Sequence, residues 1–343
     1  MADSPLNVAL VGCGIFGRIH AATYAQFEHS RLVAVCDSDA ERAGAMAAKY
    51  RCRACTSVDE IAADPEVQAV SVATPDFAHR DVCVALARAG KHLLVEKPLA
   101  TTVEDGRAIC AAAGEAGIFG MVDFHNRWHP AILPIKQRLD RGEMGRPQML
   151  YARLSDRIEV ATEWFKWSGK SGPEWFLGAH LADLACHLFG AYPVRVFAEG
   201  RKDVLASRGI GCYDSVQMHL SFAGGFATLE TSWIIPRSWP MLVDFVVSLQ
   251  ATEGRADIDM SRQGTMIADA GGYALPMLSG KEPVDADEFG FLSLPIRRFV
   301  RAVLAGAESP MPLEDGLKNV QILAAVHASL VGGGVIEVDY TSA

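Results

Sequence analysis

An apolar run at residues 6–11 leads directly into Gly12-Cys13-Gly14-Ile15-Phe16-Gly17 and from there into a helical pattern. No other feature narrows so far what this chain can fold into. GxGxxG after a strand demands a tight turn at its first glycine, a diphosphate lying close to backbone at the second, and a closely packed helix at the third. The free N–H groups of that helix's first turn then face an anion. Asp37 closes the next apolar run about 20 residues on, where a carboxylate can accept from both hydroxyls of an adenosine ribose and repels a 2′-phosphate. Gly12, Gly14, Ile15, Phe16, Gly17 and Asp37 are therefore expected to bind a dinucleotide, NAD in preference to NADP. Ser38 and Arg42 beside Asp37 leave NADP open, and Asp37 has a second reading as the N-cap of a helix over 40–49.

Short apolar runs and helical periodicity alternate as far as residue 123. The runs fall at 6–11, 31–37, 69–75, 92–98 and 118–123, with helices expected over 15–27, 40–49, 77–89 and 102–116. That rhythm predicts a doubly wound α/β domain over 1–123 with a parallel sheet covered on both faces. Over 124–343 a helix (130–141), a strand (148–156) and a helix (173–189) precede strands near 194–200, 213–222, 225–235 and 242–250. Consecutive strands without helices between them predict antiparallel pairing, with a hairpin at Ala223-Gly224-Gly225, hence an α+β second domain. Helices near 291–306 and 315–331 and a strand at 335–339 close the chain.

The formal net charge of -9 disfavours nucleic acid as a partner, since phosphate binding needs a basic stripe. No stretch of about 18 apolar residues is free of Gly, Pro or charge, so no membrane span is expected. Residues 1–5 lack the basic start of a signal peptide. The eight cysteines lie scattered in apolar runs and read as reduced, buried hydrophobes of a cytoplasmic protein. Cys52 and Cys55 form a lone CxxC, which is too little for zinc. His180, Asp183 and His187 share one helix face but spread over two turns, with His125 and His129 as the other histidines at hand, so no metal is expected.

Glu96-Lys97-Pro98 follows the fifth strand at its carboxyl end, the edge where open α/β sheets bind ligands. A lysine there can accept the proton a carbinol loses as its hydride leaves. The chain resembles the glucose-fructose oxidoreductase/inositol dehydrogenase/MocA (Gfo/Idh/MocA) family over essentially its full length. The likeness is carried by the glycine loop, Ala73-Thr74-Pro75 with His79, the Gly90–Ala100 string GKHLLVEKPLA, Asn126-Arg127, GAHLADL at 178–184, Thr231-Ser232-Trp233 and Glu314-Asp315-Gly316-Leu317. The resemblance implies a Rossmann domain, an open-faced mixed sheet used for oligomerisation as a homodimer or homotetramer, and NAD(P) chemistry on sugars or inositols.

By the same likeness Lys97 matches the catalytic lysine, His180 the histidine that assists proton transfer, and Asp183 the acid three residues on. Thr74, Pro75, His79 and Glu96 match positions lining the cofactor. The sequence departs from the family at Phe176, four residues before the histidine, where an Asp is usual. Asn126, Arg127 and Trp233 are second-choice substrate contacts. The loop 164–173 offers Trp164 and Lys166 as an aromatic wall and a cation for a sugar acid, with Lys170, Arg127, Arg157 and Arg237 in support. A dehydrogenase acting on a sugar-like CH–OH group is the expected activity. An enzyme that retains its nicotinamide for internal redox, such as epimerisation or elimination, and a non-catalytic NAD sensor are the alternatives.

Overall fold

The structure is a computed structural model that describes residues 4–260, 267–269, 272–274 and 290–341, the two three-residue pieces by backbone alone. The chain forms two compact units. The first takes the chain through Trp128 and a later segment that ends at Lys318; the second begins at His129 and resumes at Asn319. The expectation of one cut at residue 123 is linear, whereas these units exchange a segment late in the chain.

In the first unit β1 (Leu6–Val11), α1 (Ile15–Gln26), β2 (Ser30–Cys36), α2 (Ala40–Tyr50), β3 (Arg53–Cys55), α3 (Val58–Ala62), β4 (Ala69–Val72), α4 (His79–Arg88), β5 (His92–Glu96), α5 (Val103–Ala116) and β6 (Gly120–Asp123) follow in turn. The strands pair in the order β3-β2-β1-β4-β5-β6, all parallel. Every residue of β4, and Leu93, Leu94 and Val95 of β5, are buried, as a sheet covered on both faces requires. Full burial of one such aliphatic side chain contributes about 1.5–3 kcal/mol. The strand order reverses between β1 and β4, and a ligand crevice opens at such a point outside the carboxyl ends of the strands.

The second unit contains α6 (Ile132–Asp140), β7 (Pro147–Arg157), α7 (Pro173–Phe176), α8 (Gly178–Phe189), β8 (Arg195–Arg201), β9 (Ser215–Phe222), β10 (Gly225–Ile235), β11 (Val243–Ala251) and β12 (Arg255–Asp259). A backbone hairpin, β13 (Ile267–Asp269) with β14 (Gly272–Ala274), comes next. Then follow α9 (Ser293–Ala305), which belongs to the first unit, α10 (Leu313–Gly332), divided between the units at Lys318, and β15 (Ile336–Glu337). The helix expected over 173–189 is two helices, broken at Leu177.

Seven strands of the second unit form one sheet, β12-β11-β7-β10-β9-β8-β15. The β9–β10 hairpin turns where expected, with Phe222 opposite Gly225. The consecutive strands β8, β9 and β10 pair antiparallel as expected, and the sheet is mixed, as the family resemblance implies, because β10 also runs parallel to β7, which lies between β10 and β11. Adjacency in sequence favours adjacency in a sheet only as a tendency, and here β7, the earliest strand, lies inside the sheet, third from one edge. One face of the sheet is apolar and buried, through Leu150, Ala152, Leu154, Val216, Met218, Leu220, Ala227 and Leu229, and α8 packs on it with Gly178–Cys186 buried. The opposite face carries Met149, Tyr151, Arg153, Phe197, His219, Phe226, Thr228 and Glu230, none of them buried.

His129 opens the second unit almost fully buried at 2% exposure. Its Nδ1 accepts the Ala131 N–H at 3.1 Å, and its ring meets Phe245 edge-on at 6.0 Å. Burial pushes this imidazole down to about 4. A folded value below the unfolded one means stability that is complete above the unfolded value, near 6.5, and is lost as pH falls toward 4. At about 1.4 kcal/mol per unit the loss is about 3 kcal/mol. Urea unfolding of wild type and His129→Gln between pH 7 and 4 should show the wild type losing that increment more than the variant; equal slopes would refute the assignment.

Candidate active site

The glycine loop has the geometry a dinucleotide requires. Gly12 holds φ +100°, and a Cβ there would collide with the carbonyl of Ala73 at the end of β4. A Cβ on Gly17 would strike the carbonyl oxygen of Gly12. Gly14 differs: nothing lies within 4 Å of where its Cβ would be. It is the N-cap of α1, and no side chain caps that helix. The first turn of α1, with Ile15 and Phe16, thus begins at an open glycine without a capping side chain, which is the arrangement that receives a diphosphate.

Asp37 ends β2 beside this loop. Its Oδ2 accepts the Cys13 N–H at 2.8 Å, and its Oδ1 accepts the Asp39 N–H at 2.9 Å and Arg42 at 2.8 Å. The N-cap of α2 is Asp39, which accepts from Glu41 and Arg42, so the capping alternative for Asp37 is settled. Burial raises the Asp37 carboxyl, but the Arg42 guanidinium and the two backbone donors outweigh it and hold the group below its usual value. A cavity of about 280 Å³ lined by Cys13, Arg18, Arg42, Met46, Lys49 and Tyr50 adjoins it. Ser38, the residue after Asp37, is exposed. The carboxylate and three cations together suit an adenosine ribose and its phosphates.

The ends of β4 and β5 are clamped by His79. Its Nε2 lies 3.0 Å from the Thr74 carbonyl and its Nδ1 3.0 Å from that of Pro98. At 1% exposure, His79 is committed to these two loop carbonyls. Pro75 starts the turn that leads into α4. Thr74 Oγ1 is buried without a protein hydrogen-bond partner among the described residues, an orphan that a bound dinucleotide would satisfy.

Lys97 is buried at 3% exposure, and its Nζ lies 5.5 Å from the ring centre of Phe16 in the glycine loop. Glu96, expected to line the cofactor, instead turns behind the loop toward His20, 3.1 Å from its Nε2. His20 and Asp123, which sequence reasoning missed, join it: one nitrogen or oxygen from each of the three lies within 4.8 Å of the others. Two acids ending adjacent strands were the available signal. Asn126 is buried, and Arg127 is ion-paired with Asp315 at 3.2 Å.

In the second unit His180 and Asp183 lie one turn apart on α8, 4% and 3% exposed, while His187 is half-buried. Phe176 packs 5.0 Å from Phe165, 6.0 Å from Trp167 and 5.8 Å from Trp233. Trp233 is fully buried, with its indole N–H donated to Asp156 at 3.3 Å, so it has no surface for a substrate and the expected contact is corrected. Trp164 is 41% exposed and Lys166 is exposed. Arg157 pairs with Glu159 at 2.7 Å and Arg237 pairs with Glu163. Each of the three arginines considered for an anionic substrate therefore has a carboxylate already.

Comparison with known proteins agrees with these features. Residues 6–124 match the family described as "Oxidoreductase family, NAD-binding Rossmann fold", and residues 132–257 match the GFO/IDH/MocA C-terminal domain. UDP-N-acetylglucosamine 3-dehydrogenase of Acidithiobacillus ferrooxidans is 36% identical over 93% of this chain and 95% of its own. Inositol 2-dehydrogenase of Rhizobium meliloti is 29% identical over 95% and 97%. The structure of GenD2 from gentamicin A biosynthesis, in complex with NAD, shares the fold with a TM-score of 0.87 at 24% identity, over 99% of this chain and 98% of that one.

Replacing Asp37 with Ser removes the carboxylate and releases Arg42. Charge-assisted hydrogen bonds of about 1.5–3 kcal/mol then translate into an NAD affinity about 10–100-fold weaker, with NADP gaining. Fluorescence titration with both dinucleotides checks this; an unchanged NAD:NADP ratio would remove Asp37 from the ribose site.

Proposed function

Because the chain belongs to the GFO/IDH/MocA oxidoreductase family and carries that family's NAD-binding Rossmann fold, we propose that it oxidises a secondary carbinol of a neutral sugar or inositol, or reduces the matching ketone. The observation that carries this reading is the buried Lys97 amine against Phe16, in the loop that receives the cofactor. The dehydrogenases of sugars and inositols among its relatives support the substrate class. The pairing of Arg127, Arg157 and Arg237 with carboxylates favours neutral substrates over sugar acids.

Bound NAD would supply the acceptor for the carbinol's hydride, and the Lys97 amine would take the hydroxyl proton, leaving the ketone. In the second unit, His180 is the histidine to which the family likeness gives an assisting role in proton transfer, with Asp183 a turn further along the same helix face. Asn126 and Trp164 remain as substrate contacts. Retained cofactor with internal redox is the second outcome of the same assay: NAD copurifying with the protein and no net NADH. All eight cysteines are free thiols, which supports a reducing compartment, the cytoplasm. Among the described residues no helix is long and apolar enough to cross a membrane.

We also assign the outer face of the seven-stranded sheet to self-association. Met149 and Phe226 are paired across β7 and β10 and are 45% and 40% exposed, and Phe197 is 39% exposed. Apolar groups spread over a broad face are covered most simply by a second copy of it. Light scattering should give a dimer or tetramer for the wild type and a smaller species for Phe197→Asp/Phe226→Asp; a monomeric wild type would end this assignment.

NADH appearance at 340 nm against inositols, aldoses and deoxy sugars tests the reaction. Lys97→Met should lose turnover by about 10²–10⁴-fold with NAD affinity nearly unchanged. Retained turnover would transfer the base role to another group.

A further inference from the structure

Behind Lys97 lies a set of buried polar groups that the proposed reaction leaves unused. Glu96 and Asp123 stand opposite each other in the register of β5 and β6, so two carboxyl groups end adjacent parallel strands side by side, 5% and 1% exposed. His20, on the inward face of α1, brings Nε2 to 3.1 Å from Glu96 Oε1 and 3.6 Å from Asp123 Oδ2. Its Nδ1 is 2.9 Å from Ser71 Oγ, which is 2.6 Å from the Tyr24 hydroxyl.

The proton positions follow from this geometry. Tyr24 is fully buried, and its phenol must place its proton; it donates to Ser71, which donates to His20 Nδ1. Nε2 then carries the N–H and donates to Glu96, whose oxygen must be an acceptor. The other Glu96 oxygen, Oε2, accepts the backbone N–H of Lys97 at 3.2 Å. Two buried carboxyl groups this close do not both ionise, so the pair keeps one proton, on Asp123.

We propose that His20 is a positioning residue for the proton transfer at Lys97. By donating to Glu96 it fixes the Glu96–Asp123 pair at one proton and one negative charge, and that charge is the counter-ion against which the Lys97 amine titrates. The inference rests on the reading of Lys97 as the group that takes the substrate proton.

The electrostatics agree. Burial raises Glu96, but the hydrogen bond from His20, the foremost opposing influence, together with the positive charge nearby at Lys97, outweighs it and holds the carboxyl below its usual value. Burial and then Glu96 push Asp123 well above the carboxylate range, with Lys97 opposing. The titratable groups facing this point are His20 and Tyr24 from α1, Glu96 and Lys97 at the end of β5, Asp123 from β6, and His125, whose Nδ1 is 3.9 Å from Asp123 Oδ1. Ser71, from β4, does not titrate.

The charge assignment separates the variants. Glu96→Gln removes the counter-ion, and His20→Leu leaves Glu96 without its donor so that it takes up a proton. Both should lower the Lys97 titration by about one unit or more. His20→Gln, which keeps an N–H donor, should restore it. Asp123→Asn exchanges a neutral acid for a neutral amide and should leave it in place.

Lys97 is read directly by NMR titration of the NAD-bound protein labelled with ¹³C at the lysine ε-carbon, with Lys97→Met assigning the resonance. The pH dependence of kcat/KM for oxidation is read in parallel, where the rising limb should move to lower pH with the resonance. A Lys97 resonance that does not move in His20→Leu, or one that moves as far in Asp123→Asn as in Glu96→Gln, overturns the proposal. If His20→Leu does not fold, Glu96→Gln against Asp123→Asn decides the same point. A wild type that turns over no substrate while its resonance shifts as expected sinks the proposed reaction and leaves the counter-ion standing; turnover with a fixed resonance does the reverse.

Discussion

The approach of bare backbone to backbone at the head of β1 is the constraint from which the first unit follows. Gly12 lies against the Ala73 carbonyl, and Gly17 lies against the carbonyl of Gly12. No side chain fits at either place. Because α1 sits that close, its uncapped N-terminus opens where the strand order reverses, and His20, one turn further in, reaches the far ends of β5 and β6. A dinucleotide loop and a buried proton store thus depend on the same two missing methyl groups.

Much of the first unit was legible because its signals are local. The alternation of runs and helices, the glycine spacing and an acid about 20 residues on are all properties of short windows, and the parallel sheet with Asp37 at its loop follows from them. The His20 group was not legible in the same way. Its members stand at positions 20, 71, 96 and 123, each unremarkable in its own window, and only the order β1-β4-β5-β6 brings them together. His79 shows the converse limit: a motif position was found, but whether its ring meets a ligand or two carbonyls depends on backbone traced from elsewhere.

In the second unit, periodicity located the strands and the hairpin but not the place of β7, since strand order is set by long-range pairing that leaves no local trace. Trp233 was misassigned for a related reason. A tryptophan in a Thr-Ser-Trp string reads as a contact residue, yet it lies on the covered side of β10 with its N–H on Asp156. Phe176 joins that same aromatic cluster, so the position before His180 that departs from the family pattern is filled by packing.

The discontinuous first unit has a consequence for how the molecule comes into being. Phe119 meets Phe299 at 5.7 Å, the Val122 N–H is held by the Met311 carbonyl, and Gly120 and Gly316 are small because Leu313, Leu99 and Val122 crowd them. These contacts close one side of β5 and β6 with residues that come far later in the chain. During synthesis the glycine loop precedes this segment, and that side of β5 and β6 stays uncovered until the chain has reached Lys318. The unit that carries the glycine loop is therefore completed only after the strands β7 to β12 of the second unit have been made.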